Sequence, residues 1–279
     1  MSTTPSFRRD LNMGSTWLLP AWSTAPVGDE RTVLDGAKAA GYRGIQGANP
    51  QLCRELGLVP TTFDIRIEVG GMLEQARRFA DQGFACATLM VGTGLESDDD
   101  AARLIEEIVA ASAAARFPLY VETHRATCTQ DIVRTLRLVE RFPELRFNGD
   151  FGAKLDLMAP ILDRVRYLHG RIGTSGCIQV DVGDGRSEGQ PHVDQFRSLW
   201  TRAAAGFIAG VADDPVPPPD LQLGFAPELL PHEFGYAIKV PNAQGELDEL
   251  GDRWQQSVVL TDLAQECFAA AATASAAAD

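Results

Sequence analysis

Eight short apolar runs, each suited to a β-strand, alternate along the chain with longer segments of helical periodicity. The strand candidates are residues 7–13, 42–47, 58–62, 84–92, 117–123, 146–150, 166–172 and 221–226. The helix candidates are residues 29–40 or 35–40, 51–56, 72–82, 98–115, 129–142, 155–165, 193–205 and 246–272. This alternation is typical of a parallel sheet that is covered by helices.

The number of strand candidates and the length of 279 residues favour one closed (β/α)8 TIM barrel, a fold of typically about 250 residues. A doubly wound open sheet is the alternative. The Gly-x-Gly-x-x-Gly and Gly-x-x-x-x-Gly-Lys-Ser/Thr signatures of nucleotide-binding open sheets are absent from the sequence. We expect a single barrel over residues 1–272 and a disordered Ala-rich tail over residues 273–279.

The composition narrows the class of protein. Apolar residues make up 45% of the chain, yet no run of about 18 of them suggests a membrane span, and the first ten residues do not resemble an export signal. The five cysteines are scattered and never form a Cys-x-x-Cys pair, which favours reduced thiols and a cytoplasmic protein. A net charge of −13 argues against nucleic-acid binding, so we expect a small polar substrate.

Four strand candidates end in residues that can bind a metal ion, namely Glu122, Asp150, His169 and Glu228. In a barrel, the C-terminal ends of the strands lie side by side at one face, so these four side chains are predicted to converge. Three carboxylates and one imidazole suit one divalent ion of Mn, Mg, Co or Zn. Without a cation, the carboxylates would repel one another and raise one another's pKa.

Four further residues near these strand ends are candidates for substrate binding: His124, Arg125, Lys154 and Arg171. Instead of binding substrate, His124 could form a hydrogen bond beside the metal ligands. Lys154 could instead be a solvent-exposed loop residue. Arg171 lies on the same strand face as His169 and could hold an anion, or else form an ion pair with Asp150 or Asp181. Residues 174–191 form a Gly- and Asp-rich loop long enough to act as a lid or a binding loop.

The four ligand motifs are VETHR around Glu122, NGDF around Asp150, LHGRIG around His169 and APELLP around Glu228. In this order, and over about residues 42–264, the chain resembles the xylose isomerase-like TIM barrels, which include sugar phosphate isomerases and epimerases. In that family, residues at these four strand ends hold one divalent metal. The resemblance implies that Glu122 and Glu228 also form the acid/base pair. A homodimer is expected by analogy.

The resemblance implies a metal-dependent isomerase or epimerase of carbohydrate metabolism. It would act on a sugar, polyol or related hydroxy-carbonyl compound through proton abstraction and a metal-stabilised ene-diolate, with manganese as one candidate ion. One alternative is a metal-dependent lyase, either a dehydratase or a carbon-glycoside-cleaving subunit. The other is a non-catalytic ligand-binding barrel whose carboxylates are satisfied by arginines.

The chain also departs from two branches of that family. Ketose epimerases usually carry a histidine where this chain has Ala153 and an arginine where it has Ser175. The endonuclease branch holds three zinc ions with many histidines, whereas this chain has four histidines in all.

Overall fold

The chain folds into one closed barrel of eight parallel strands, each hydrogen-bonded to the next in chain order. The structure, a computed structural model, describes residues 4–150, 155–174, 176–186 and 190–277. The eighth strand closes the barrel by pairing with the first, from Ser6 opposite Gln222 to Arg9 opposite Phe225. The predicted (β/α)8 barrel is therefore confirmed, and the open doubly wound sheet is excluded.

The barrel strands are β1 (Ser6–Asn12), β2 (Gly44–Gln46), β3 (Val59–Arg66), β4 (Ala87–Val91), β5 (Leu119–Glu122), β6 (Phe147–Gly149), β7 (Val165–Gly170) and β8 (Gln222–Pro227). The helices are α1 (Glu30–Ala39), α2 (Pro50–Glu55), α3 (Met72–Asp81), α4 (Asp98–Ala115), α5 (Ile132–Arg141), α6 (Leu155–Leu162), α7 (Pro191–Gly210) and α8 (Arg253–Ala276). A hairpin of β9 (Lys239–Pro241) and β10 (Leu247–Glu249) lies between β8 and α8.

The helices begin where polar side chains satisfy their free N–H groups. The side chain of Asp29 accepts a hydrogen bond from the Thr32 N–H at the start of α1, and Ser97 does the same for Asp100 in α4. The first turn of α4 contains three aspartates, Asp98, Asp99 and Asp100, whose negative charge the helix dipole favours. Apolar side chains of the helices pack on the outside of the barrel and form its main core, with Phe207, Leu199 and Ile105 fully or almost fully buried.

Polar side chains fill the inside of the barrel below its C-terminal face. Arg8 and Asp10 form a buried ion pair at 2.7 Å, and the Tyr167 hydroxyl donates to Asp10 Oδ2 at 2.9 Å. The same hydroxyl lies 3.2 Å from Thr61 Oγ1, across the barrel from β7 to β3. The ring of Tyr167 packs edge-on against His169, so this polar layer supports the strand ends above it.

Several element boundaries differ from those predicted. β3 continues to Arg66, where the sequence suggested a polar connection, because its backbone pairs with β4 as far as Arg66 opposite Val91. The β9–β10 hairpin was not predicted. Because part of it occupies residues predicted as helix, the last helix begins at Arg253 and not at residue 246. That helix extends to Ala276, into the segment predicted as a disordered tail.

The two longest helices, α7 and α8, pack against each other and against neighbouring strands. Each buries a broad set of side chains, including Trp200 in α7 and Leu260 in α8. In the part of the chain that the structure describes, no helix is both long and apolar enough to cross a membrane.

Candidate metal centre

Three of the four predicted metal ligands meet at the C-terminal face of the barrel. Glu122 is the last residue of β5, His169 lies near the end of β7, and Glu228 directly follows β8. One ligand atom from each side chain lies within 4.8 Å of the others, so the three could hold a metal ion. Glu122 and His169 are each only 3% exposed, whereas Glu228 is half-buried.

The imidazole of His169 is oriented by Gln46 at the end of β2. Nε2 of His169 lies 2.8 Å from Oε1 of Gln46, which also accepts a hydrogen bond from Asn12 Nδ2 at 2.8 Å. The Gln46 amide in turn donates to Thr88 Oγ1 at 3.1 Å, which fixes its oxygen toward His169. Because a carbonyl oxygen only accepts, Nε2 carries a proton and Nδ1 faces the carboxylates.

Nδ1 of His169 lies 3.3 Å from Glu122 Oε1 and 3.8 Å from Glu228 Oε1. This nitrogen is buried and forms no hydrogen bond in the structure. Burial lowers the pKa of His169, but the charges of Glu122 and Glu228 outweigh that effect and raise the pKa to about 9. The position between Nδ1 and the two carboxylates therefore favours a positive charge.

Asp150, the fourth predicted ligand, is not part of this group. It pairs with Nη2 of Arg171, whose Nη1 donates to Glu228 Oε2 at 3.0 Å. The alternative interpretation of Arg171, an ion pair with Asp150, is thus what the structure shows. Burial raises the pKa of Asp150. The positive charge of Arg171 lowers this pKa, but the negative charge of Glu228 raises it further, and the net shift is upward.

The charges at this face do not balance. The three carboxylates of Glu122, Asp150 and Glu228 face two cationic groups among the described residues, the guanidinium of Arg171 and the imidazole of His169 when it is protonated. Buried carboxylates without compensating charge are costly, so the group has the electrostatics of a cation site. Its donor set of oxygens and one imidazole nitrogen, with an orphaned Nδ1, fits a divalent ion.

A cavity of about 610 Å³ lies next to the metal-ligand candidates, with Asp150 and Arg171 in its wall. Its other lining residues come from the loops after β5 and β7 and from the start of α7. Three predicted substrate-binding residues, His124, Arg125 and Arg171, line this cavity. The fourth, Lys154, lies outside the described residues.

Three residues that shape this site, Asn12, Gln46 and Tyr236, were not predicted. Asn12 and Gln46 are polar residues near the ends of the first two strand candidates, and this is the same signal that identified Glu122. Tyr236 lies in a loop, and its ring is 4.9 Å from the Arg171 guanidinium. Nothing in the sequence around Tyr236 indicates this contact.

Asn148 in β6 is another polar residue that the sequence did not identify. Its carboxamide is fully buried, and neither its nitrogen nor its oxygen has a hydrogen-bond partner in the described structure. It lies in register with Glu122 of the neighbouring strand β5.

The barrel is similar in fold to several solved structures. One is a xylose isomerase-like TIM barrel protein from Mycobacterium smegmatis in complex with magnesium, with a TM-score of 0.55 and 11% identity over 96% of this chain and 99% of that one. Another is a sugar phosphate isomerase/epimerase from Parabacteroides distasonis, with a TM-score of 0.54 and 10% identity over 92% and 97% of the two chains. These similarities confirm the fold that the sequence motifs suggested.

A probable 3-DHS dehydratase from Bacillus anthracis is 18% identical over 61% of this chain and 75% of its own, with a TM-score of 0.48. No protein-family model matches the sequence, and no curated protein does so. At these identities the comparisons show the fold alone, a closed (β/α)8 TIM barrel.

Proposed function

We propose that the protein is a divalent-metal-dependent isomerase or epimerase of a sugar, polyol or related hydroxy-carbonyl compound. The observation that carries this proposal is the buried Nδ1 of His169, which faces two carboxylates and has no hydrogen-bond partner. Metal-binding histidines usually donate their other ring N–H to an oxygen acceptor, and Gln46 accepts from His169 in this way.

Glu122, His169 and Glu228 would hold the ion, which would be Mn²⁺, Mg²⁺, Co²⁺ or Zn²⁺. Asp150 is the fourth proposed ligand, and its ion pair with Arg171 would have to open for it to contribute. The Mycobacterium smegmatis barrel of the same fold, which was determined with magnesium, supports a divalent cation. When bound, the ion would polarise a substrate carbonyl and stabilise negative charge on adjacent oxygens.

The two glutamates supply the proton transfers. A carboxylate takes the proton from the carbon next to the carbonyl, and a carboxylic acid returns a proton to the adjacent carbon or to the opposite face. Glu122 and Glu228 lie 3.3 and 3.8 Å from His169 Nδ1, and they are carried by two non-adjacent strands, at the end of β5 and directly after β8. Arg171 holds Glu228 in place at 3.0 Å, and the Thr129 hydroxyl holds the Glu122 backbone carbonyl at 2.7 Å.

A non-catalytic ligand-binding barrel is the second candidate, because Arg171 already satisfies Asp150 and Glu228. This arrangement leaves Glu122 with the His169 imidazole, 3.3 Å away, as its charge partner among the described residues, and His169 Nδ1 still lacks a hydrogen bond. A divalent ion between Nδ1 and the carboxylates accounts for both features, so the isomerase is the better supported function.

Deuterium exchange tests the proposal without knowledge of the substrate. The Mn²⁺-loaded protein would be incubated in D₂O with a panel of aldoses, ketoses and cyclic hydroxy-ketones, and each compound analysed by mass spectrometry. An isomerase or epimerase forms product that carries one deuterium at the reacting carbon, whereas a lyase forms product that has lost a fragment. We expect exchange with at least one compound and its loss in Glu122→Gln, with Glu106→Gln on the exposed face of α4 as the matched control.

Incorporation by wild type and Glu122→Gln alike would exclude Glu122 from proton transfer. A product that has lost water or a sugar fragment would replace the isomerase by a lyase. No exchange with any compound would favour the ligand-binding barrel.

A further inference from the structure

We propose that the cavity next to the metal-ligand candidates binds an anionic group of the substrate, a carboxylate or a phosphate, and that Arg125 provides its main charge. The proposal rests on the proposed function and names the substrate class for that same site. Among the described residues, the cavity is lined by the cationic or imidazole side chains of His124, Arg125, Arg171 and His192, and by the carboxylate of Asp150. Such a wall is unusual in a chain with a net charge of −13.

Of the two arginines that line the cavity, Arg125 is the one whose guanidinium is available to bind an anion. The guanidinium of Arg171 is already used by Asp150 and Glu228. Arg125 has no carboxylate partner among the described residues, and its guanidinium lies 5.5 Å from the ring centroid of Tyr236. Contact with an aromatic face uses none of the five N–H donors of an arginine, so these donors are free for a planar oxyanion.

The loop that carries Arg125 is fixed by hydrogen bonds. The Thr127 hydroxyl donates to the His124 carbonyl at 2.6 Å, and the Thr129 hydroxyl accepts from the His124 N–H at 3.1 Å. Ala126 has a φ of +55°, in the left-handed region that costs a non-glycine residue energy, and its N–H donates to Gln130 Oε1 at 3.0 Å. The chain thus maintains a strained turn that places Arg125 at the cavity.

The same loop connects the anion site to the proposed proton-transfer group. The Thr129 hydroxyl that accepts from the His124 N–H also donates to the Glu122 carbonyl at 2.7 Å. The spacing between the Glu122 carboxylate and the Arg125 side chain is therefore limited by a short, hydrogen-bonded stretch of chain. A substrate with its anion on Arg125 would have its reacting carbons positioned relative to Glu122.

The part of the cavity wall that α7 forms also favours an anion. It is formed by the start of α7, where Pro191 and His192 line the cavity and the N-cap residue Gln190 makes no side-chain capping bond. Nε2 of His192 is buried without a hydrogen-bond partner in the described structure. A helix N-terminus carries partial positive charge, so it would add to the stabilisation of an anion by Arg125.

Isothermal titration of the Mn²⁺-loaded protein with matched probes tests this proposal. The pairs are D-glucuronate against D-glucose and D-fructose 6-phosphate against D-fructose, each differing in the anionic group. We expect at least one anion to bind with a dissociation constant at least tenfold lower than its neutral partner. Arg125→Ala should remove this preference and Arg125→Lys should retain part of it. Arg103→Ala, an exposed arginine paired with Asp100 on α4, should leave it unchanged.

The two pairs also identify the anionic group that the site binds. A preference confined to D-glucuronate indicates a carboxylate, and a preference confined to D-fructose 6-phosphate indicates a phosphate. Equal binding within both pairs, binding of no probe, or a preference that survives Arg125→Ala would overturn the proposal. Metal content measured on the same samples separates the two hypotheses. Protein that holds metal but shows no anion preference contradicts only the anion site, whereas protein without metal contradicts the proposed function.

Discussion

Nε2 of His169 lies 2.8 Å from Oε1 of Gln46, and this contact decides which ring nitrogen faces the carboxylates. The Gln46 oxygen is itself fixed by Asn12 and by the bond from the Gln46 amide to Thr88. Strands β1, β2 and β4 therefore contribute to the orientation of His169, a metal-ligand candidate on β7. The metal-ligand candidates depend on a network that reaches across the barrel.

Replacing Gln46 by Leu should weaken metal binding although Gln46 is not a proposed ligand. Without its acceptor, the imidazole loses both its fixed orientation and its preferred tautomer, and such supporting contacts are typically worth about 10- to 100-fold in metal affinity. Titration of metal-free protein with Mn²⁺ measures the effect. Gln51→Leu on the exposed surface of α2 is the control. An unchanged affinity in Gln46→Leu would show that this contact does not orient His169.

Replacing Asp10 by Asn should destabilise the whole barrel. Arg8 and Tyr167 would lose the carboxylate that both of them contact, and Arg8 is only 4% exposed. Removal of one partner of a buried ion pair costs about 3–5 kcal/mol. Urea unfolding measures the change in the free energy of unfolding. The control is Asp100→Asn, which breaks the exposed ion pair with Arg103 and should lower the free energy of unfolding by only about 0–1 kcal/mol. Similar losses in the two variants would contradict a structural role for the buried pair.

Cys177 should be the thiol that reacts first in the folded protein. Burial raises the pKa of Cys53 to about 11 and the pKa of Cys86 and Cys128 to about 12, and it also raises the pKa of Cys267. A thiol with a raised pKa is protonated below that pKa, so at pH 8 a thiol of pKa 12 is about one part in 10⁴ thiolate. Cys177 is half-buried rather than buried.

The measurement is titration with Ellman's reagent at pH 8. We expect one rapidly reacting thiol in native protein, none in Cys177→Ser, and all five cysteines to react in denatured wild type. Rapid reaction of a second thiol in the native protein would show that one of the buried cysteines is accessible. Raising the pH toward 11 should accelerate the slow thiols, since their thiolate form increases as the pH approaches their pKa.

The barrel and the positions of its ligand candidates were predictable because both follow from local sequence. Strand order in this fold equals chain order, and Glu122 and His169 lie at or near the ends of apolar runs. The partner of Arg171 was not predictable, because the sequence allowed an ion pair with either Asp150 or Asp181. In the structure Asp181 accepts instead from the Gly183 N–H, so the choice depended on loop geometry.

The polar interior of the barrel was not predictable for a related reason. Which side chains meet across a barrel depends on strand register and tilt, and Thr61 and Tyr167 are far apart in sequence. The β9–β10 hairpin depends on a turn in which Asn242 Oδ1 accepts from the N–H groups of Gln244 and Glu246. Such short polar segments have no apolar periodicity by which a strand could be identified.

The metal content of purified protein tests the central claim most directly. Wild type, His169→Ala, Glu122→Gln and the control His232→Ala, whose side chain is exposed, would be prepared without chelator and analysed by elemental mass spectrometry. Circular dichroism would confirm that each variant is folded. We predict about one Mn, Mg, Co or Zn ion per chain in wild type and His232→Ala, and a strong reduction in both site variants. Negligible metal in all four folded proteins, even after incubation with Mn²⁺, would contradict the metal centre and favour a ligand-binding barrel.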